Sequence, residues 1–460
     1  MNRGLSRRRL LQAVPAGALG LGAAPTVSKR RGNVLLITTD QQSSRSLAAL
    51  GQATGATPHL DALAQRGTLF ANSWCVDPSC SPARAAWVMG RPGSETGVVL
   101  NRLESRNDLP EMGGWLRDQG VNTLLLGKWH VPGLDPRAGF SVGCPAPLNA
   151  DLGDPMQLRA ALGALATLPA DQPFFLWVSL LGPHDVCHAT ILLHQLQAHG
   201  AILGDVPPEA LPPAPVNLTD RAGEPALIGQ ARRGPAVGSW TAEGFRHLRW
   251  WNDRMVGMVD AIIGRLLQGL AESVHAANTS VIVTSDHGEN LGEHGLTFKE
   301  SPYEAALSVP FFFSAPGRVA ATGVDRERLV SGLDVFPTVC DLFGLAPPPG
   351  LPGRSVLAQL EGRDPGHPYI VSETLVEGRM VRDARYKLVR FRADPQGMLF
   401  DLQADPYERH NRFGDAALAG VEADLERALV DWTGRQQPHA RAGLPFVVAR
   451  DEARKRGADE

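Results

Sequence analysis

The chain has 460 residues, with 45 Lys and Arg against 48 Asp and Glu, a formal charge of −3, 43% apolar residues and 20% charged residues. These fractions suit a soluble globular protein and exclude a disordered or fibrous one. The length admits two or three domains, no apolar run reaches the ~20 residues of a membrane helix, and no basic excess points to nucleic acid.

The first segment reads as an address. Arg3, Arg7, Arg8 and Arg9 lie at the start, and no acid precedes Asp40. Ser6-Arg7-Arg8-Arg9-Leu10-Leu11 resembles the twin-arginine export motif. The Gly- and Ala-rich stretch after it reaches Gly22-Ala23-Ala24, small residues of the kind found at cleavage sites. Residues 1–31 are therefore set apart as a signal peptide and linker, with cleavage expected after Ala24. Loss of the segment through Ala24 removes four arginines and leaves a mildly acidic chain with no electrostatic lure for polyanions. The implied partner is the twin-arginine translocase and the implied location is periplasmic or secreted, in a bacterium, with no stable membrane anchor. Five cysteines (Cys75, Cys80, Cys144, Cys187 and Cys340) leave at least one without an internal partner, and their spacing fits no zinc site.

Short β-branched apolar runs follow at Asn33 to Thr39, Thr123 to Leu126, Phe174 to Ser179 and Ser280 to Thr284. They read as buried strands of a parallel sheet. Helical patterns lie between them, one opened by Thr57-Pro58 and a long one from Thr241 to Leu270. This alternation predicts an α/β, doubly wound, mostly parallel sheet with helices on both faces. Residues 200–238, rich in Pro, Gly and Ala, read as a long surface loop or insertion. Near residue 365 the character changes. Arg379 to Arg382, Tyr386 to Phe391 and Met398 to Leu402 predict a small antiparallel sheet. A closing helix carries Leu418, Val421, Leu425, Leu429 and Trp432 on one stripe, with Gly434 as its stop. The expected organisation is a catalytic domain over 32–365 and a C-terminal α+β subdomain with a tail over 366–460.

Polar residues gather where the predicted strands end. The first runs into Asp40-Gln41, the second into Gly127-Lys128-Trp129-His130, the third into Pro183-His184 and the fourth into Asp286-His287. In open parallel sheets ligands bind at these carboxyl ends, so one shared site is predicted. Asp40, Asp286 and Gln41 offer hard oxygen donors and His287 a nitrogen, a set suited to one divalent cation, calcium above magnesium. Lys128, Lys299, His130 and His184 add cationic or protonatable donors, which together with a metal suit a tetrahedral oxyanion. Cys80-Ser81-Pro82-Ala83-Arg84 places a thiol before a helix N-terminus, where free amides and the dipole favour anions, and Arg84 can point back to the same place.

Cys80-Ser81-Pro82-Ala83-Arg84, continuing through Met89-Gly90-Arg91, is similar to the C-x-P-x-R signature of sulfatases of the alkaline phosphatase superfamily. Thr57 to Asp61, Gly127 to His130, Asp286 to Glu289, Leu291 to Gly295 and the Phe400-Asp401-Leu402, Asp405-Pro406, Asn411 pattern also resemble family blocks. The resemblance covers nearly all of residues 32–435 and implies an alkaline-phosphatase-like fold. It further implies that a formylglycine-generating enzyme converts Cys80 to Cα-formylglycine before export. The aldehyde hydrate would attack the sulfur of a sulfate ester and release sulfate by elimination. By the same resemblance Asp40, Asp286, His287 and the oxygen at position 80 would bind the metal. Gln41 stands where many relatives carry an aspartate. Arg84 and Lys128 would stabilise the hydrate and sulfate, His130 would take the hydroxyl proton, and His184 and Lys299 would hold sulfate and assist the leaving oxygen. The implied function is removal of sulfate from a sugar or small organic ester. Two alternatives stay open: a phosphonate monoester or phosphodiester hydrolase with the same site, and a non-catalytic anion- or glycan-binding relative if Cys80 is not converted. Ala83, Asp185-Val186-Cys187, Ser308 and Arg91 to Thr96 depart from the family pattern and put specificity in question rather than chemistry.

Overall fold

The computed structural model describes residues 32–51, 54–145, 149–198, 206–232, 240–374, 378–392 and 394–439. The expected export motif and cleavage site, the residues beyond 439 and parts of the 200–238 segment lie outside these residues.

Eight strands build the main sheet: β1 (Asn33–Asp40), β2 (Thr68–Trp74), β3 (Asn122–Gly127), β4 (Ser141–Pro145), β5 (Phe174–Pro183), β6 (Thr279–Ser285), β7 (Phe311–Ser314) and β8 (Gly323–Ser331). Their order is β4-β3-β5-β1-β6-β7-β2-β8. Pairing is parallel throughout except at β7, which runs against both β6 and β2. The expected doubly wound sheet is therefore present, with one reversed strand inside it. The four strands foreseen from their apolar runs, β3, β5, β1 and β6, are consecutive neighbours at its centre.

Alternation along β1 divides the core. Val34 and Leu36 face a cluster with the helices Cys80–Met89, Met112–Asp118 and Val335–Leu342. Leu35 and Ile37 face another with the helices Pro58–Arg66, Ala150–Thr167 and Ala242–Glu272. Both faces of a parallel strand are thus covered, which is why its sequence is apolar without a break. Each fully buried Leu or Ile contributes roughly 1.5–3 kcal/mol.

The second sheet is antiparallel, β12-β11-β10-β9, formed by β9 (Ile370–Thr374), β10 (Gly378–Arg382), β11 (Tyr386–Phe391) and β12 (Met398–Asp401). One face, with Ile370, Met380, Val389 and Phe400, packs with Trp74 and Leu307. The other, with Val371, Val381, Leu388 and Leu399, receives Leu425 and Trp432 of the closing helix Ala419–Arg435. That helix continues through Gly434 rather than stopping there, because Gly434 keeps helical backbone and the chain turns extended only at Gln436.

One further expectation needs correction. Within the 200–238 segment, Ala226–Arg232 is a helix whose Ile228 is fully buried, so part of this segment belongs to the core. All five cysteines are free thiols. No described helix is long and apolar enough to cross a membrane.

Candidate active site

Strand register brings the acids together. Thr39 of β1 pairs with Ser285 of β6, so the next residues, Asp40 and Asp286, leave the sheet side by side. Gly127 of β3 pairs with Ser179 of β5, and the Lys128 amide donates to the Ser179 carbonyl at 3.0 Å. Gly127 has φ 99°, and a Cβ there would run into that carbonyl oxygen. Only glycine fits the turn that delivers Lys128. Gln41 (φ 68°) and His130 (φ 54°) also adopt the left-handed backbone that non-glycine residues avoid. Such strain collects where side chains must be re-aimed.

Cys80 begins the helix Cys80–Met89 and is buried. The Ser81 amide donates to Asn101 Oδ1 at 2.9 Å, so Asn101 ties down the start of the helix. Cys80 Sγ lies 3.1 Å from His287 Nε2, 3.2 Å from Lys299 Nζ and 3.8 Å from Asp40 Oδ1. Burial pushes its thiol up, but Lys299, Lys128, His287 and a hydrogen bond with His130 outweigh burial and hold it well below the usual thiol range.

One turn on, Arg84 is fully buried and uses its whole fork. Nε donates to Asp286 Oδ2 at 2.8 Å, Nη2 to Asp40 Oδ2 at 2.9 Å, and Nη1 to Ser179 Oγ at 2.8 Å and the Lys128 carbonyl at 3.1 Å. Lys could not make these contacts together. Lys128 Nζ reaches the same Asp40 oxygen at 2.6 Å. Burial and the Cys80 thiolate push the Asp40 carboxyl up, yet Lys128, His184 and Arg84 overcome both and keep it well below the carboxylate range. Asp286 is pushed the other way, by burial and by Asp40.

Donor atoms of Asp40, Cys80, Asp286 and His287 all lie within 4.8 Å of one another. His287 Nδ1 lies 2.9 Å from the Gly288 carbonyl oxygen and donates to it, which leaves Nε2 free to ligate. Two carboxylates, one imidazole and an atom at position 80 therefore converge, with Lys128 and Lys299 beside them and buried Arg84 bonded to both carboxylates. Gln41 lies beside this cluster, its Oε1 2.7 Å from Lys299 Nζ. His130 is exposed to solvent. His184 is half-buried, and its Nδ1 is buried without a hydrogen-bond partner. Every residue singled out in the sequence thus lies in or beside this cluster, with His184 tied to it by charge alone.

The sequence matches the family description "Sulfatase" over residues 32–345 and "N-sulphoglucosamine sulphohydrolase, C-terminal" over residues 292–435. The chain belongs to the sulfatase family. This sulfatase is 28% identical to a Delta 4,5-hexuronate-2-O-sulfatase of Bacteroides thetaiotaomicron, over 92% of this chain and 93% of the relative. It superposes on the structure of a 2-O GAG sulfatase with a TM-score of 0.76 and 26% identity, covering 90% of this chain and 96% of the other. A phosphonate monoester hydrolase of Agrobacterium radiobacter shares the fold, with a TM-score of 0.75 and 24% identity, over 88% of this chain and 96% of that one.

Three residues of the sulfatase site have no role that the sequence alone assigns. Ser179 orients Arg84. Glu289 contacts Gln41 Nε2, and burial pushes its carboxyl up to about 7. Cys187 Sγ also lies against Gln41, 3.1 Å from Nε2. Glu289 stands inside the polar motif at the exit of β6, and that position is its one visible signal. Ser179 and Cys187 carry none, since each reaches the site through tertiary contact.

Proposed function

We propose that this sulfatase cleaves O-sulfate esters through Cys80 converted to formylglycine, on a sulfated sugar. The observation that carries the proposal is the thiol itself. Cys80 is buried at a helix N-terminus, in contact with His287 and Lys299, inside a four-residue metal-donor cluster.

Each side chain then has a task in the proposed cycle. Asp40, Asp286, His287 and the oxygen at position 80 would hold a divalent cation, calcium by the hardness of the donors, and it supplies positive charge for a developing oxyanion. Lys299 and Lys128 stabilise the hydrate and the sulfate oxygens, and Arg84 holds the two carboxylates in place. One hydroxyl of the hydrate would attack sulfur and give up its proton, the sulfur–oxygen bond to the sugar would break, and His184 or Lys299 would protonate the leaving oxygen. His130 would take the proton of the second hydroxyl, the carbon–oxygen bond to sulfate would break, and the aldehyde would return, to be hydrated again by water. A serine-like alcohol has no second hydroxyl and would remain sulfated.

The substrate class follows from likeness. The Bacteroides relative is named for a 2-O-sulfate on an unsaturated hexuronate, and its alignment spans nearly the whole chain. Sulfated uronates are therefore the first substrates to assay. Conversion in the cytosol by a formylglycine-generating enzyme, then twin-arginine export of the folded protein to the periplasm, is the route that the leader motif supports.

Parallel assays test the reaction class. The converted protein is expected to hydrolyse an aryl sulfate and a 2-O-sulfated unsaturated uronate faster than a matched phosphonate monoester, and Cys80→Ala to abolish turnover. Faster release of phosphonate would favour the phosphorus-ester reading. A fully active Cys80→Ala would remove the nucleophile.

A further inference from the structure

Gln41 is the ambiguous member of the site. Its side chain ends in an oxygen and a nitrogen of nearly equal shape and opposite hydrogen-bonding character. A hard cation can use only the oxygen. Something must decide which end faces the cluster.

Two neighbours bracket the amide. The Lys299 ammonium can only donate, and it donates to Oε1 at 2.7 Å while also reaching Cys80 Sγ at 3.2 Å. In its ionised form the Glu289 carboxylate can only accept, and it accepts from Nε2. Cys187 Sγ lies 3.1 Å from Nε2 and 3.3 Å from Oε1, and a thiol, both weak donor and weak acceptor, selects neither end. A cation and the Lys299 ammonium would both seek Oε1. The anchor that serves in either case is therefore Glu289, at the other end.

Glu289 is built to be a fixed point. It is buried, its amide donates to the Ala305 carbonyl at 3.1 Å, and its Oε1 accepts from the Leu291 amide at 3.4 Å. The residue before it, Gly288, approaches Ala305 so closely that a Cβ would run into the carbonyl oxygen. Gln41 is held at its other end as well, since its backbone amide donates to Asp286 Oδ1 at 3.0 Å. Only the rotation of the amide is left to be chosen.

We infer that Glu289 is a positioning residue that turns the Gln41 carbonyl oxygen toward the cation cluster and makes Gln41 a competent ligand. The inference rests on the metal reading of the site. A carboxylate at position 41 would need no such anchor, because its two oxygens are equivalent. An amide does.

That difference supplies the test. Wild type, Glu289→Gln, Gln41→Glu and the double variant are prepared as full chains matched for conversion at position 80, stripped of metal and titrated with calcium chloride by calorimetry. Thermal melting without calcium checks that each is folded. With Gln41 present, Glu289→Gln is expected to weaken calcium binding by ~10- to 100-fold, the usual scale for an outer-shell partner of a metal ligand. In the Gln41→Glu background, the same change should cost nothing. No loss in the Gln41 background would overturn the inference while leaving the metal reading intact. An equal loss in both backgrounds would also overturn it, since Glu289 would then act through its charge or through the fold. A wild-type protein that takes up no calcium would bring down the metal reading, and the inference with it.

Discussion

Cys80 shows how much one position depends on its surroundings. A buried thiol is ordinarily inert, yet here Lys299, Lys128 and His287 hold it toward the thiolate. After the proposed conversion the same cations would face the hydrate and the sulfate. His130 is separable from the attack in this scheme, because it acts on the second hydroxyl. His130→Ala is therefore expected to complete one attack and then stall, leaving the peptide around position 80 heavier by one sulfate group. Multiple turnover with no such adduct would show that another base serves. At this scale the sequence is legible wherever a chemical residue follows a strand, as at Asp40, Lys128 and Asp286. Glu289 is visible within its motif but shows no task there, because the partner that defines its role, Gln41, lies 248 positions away.

Among the elements, the contact between the two sheets buries a cluster of charges of its own. Lys387 of β11 is fully buried and donates to Glu304 at 3.0 Å and to Glu408 at 2.7 Å. Arg382 of β10 and the Trp74 indole at the end of β2 also donate to Glu304, at 3.1 and 2.9 Å. Removing Lys387 would leave two acids without their shared cation, so Lys387→Met is expected to destabilise by about 3–5 kcal/mol in urea unfolding. Burial pushes the Glu304 carboxyl up, but Lys387 and Arg382 hold it at about 2, below its ordinary 4.5. A carboxyl lowered on folding contributes stability above pH 4.5 and loses it as pH falls through that window toward about 2. Glu304→Gln should flatten the acid limb of stability there, and an unchanged acid limb would contradict this assignment. The strands follow the same logic of legibility. β1, β3, β5 and β6 are visible because both faces are buried and the runs are apolar. β8 is not, since its Asp325-Arg326-Glu327-Arg328 reads as a charged loop, and β7 is only four residues long. β4 lies at the sheet edge, largely exposed, with a glycine and a proline.

In the whole molecule, the strands that converge on the site are also the strands that hold the core together. β1, β5, β3 and β6 carry Asp40, His184, Lys128 and Asp286 at their carboxyl ends and the apolar clusters along their lengths. A cation bound there binds the folded chain alone and should stabilise all of it, by about 2.7 kcal/mol at a hundredfold excess over its Kd. Chelation is expected to lower Tm and calcium to restore it. An unchanged Tm after demonstrated removal of metal would count against the cation site. The central claim remains chemical, that Cys80 becomes the catalytic aldehyde. Peptide mass spectrometry across Cys80, on protein co-produced with a formylglycine-generating enzyme, tests it most directly. The expected peptide is lighter by the difference between a thiol and an aldehyde, and the converted fraction should track sulfate-ester turnover. An intact cysteine, with a control sulfatase converted in the same cells, would contradict the claim and leave a protein that binds anions without cleaving them.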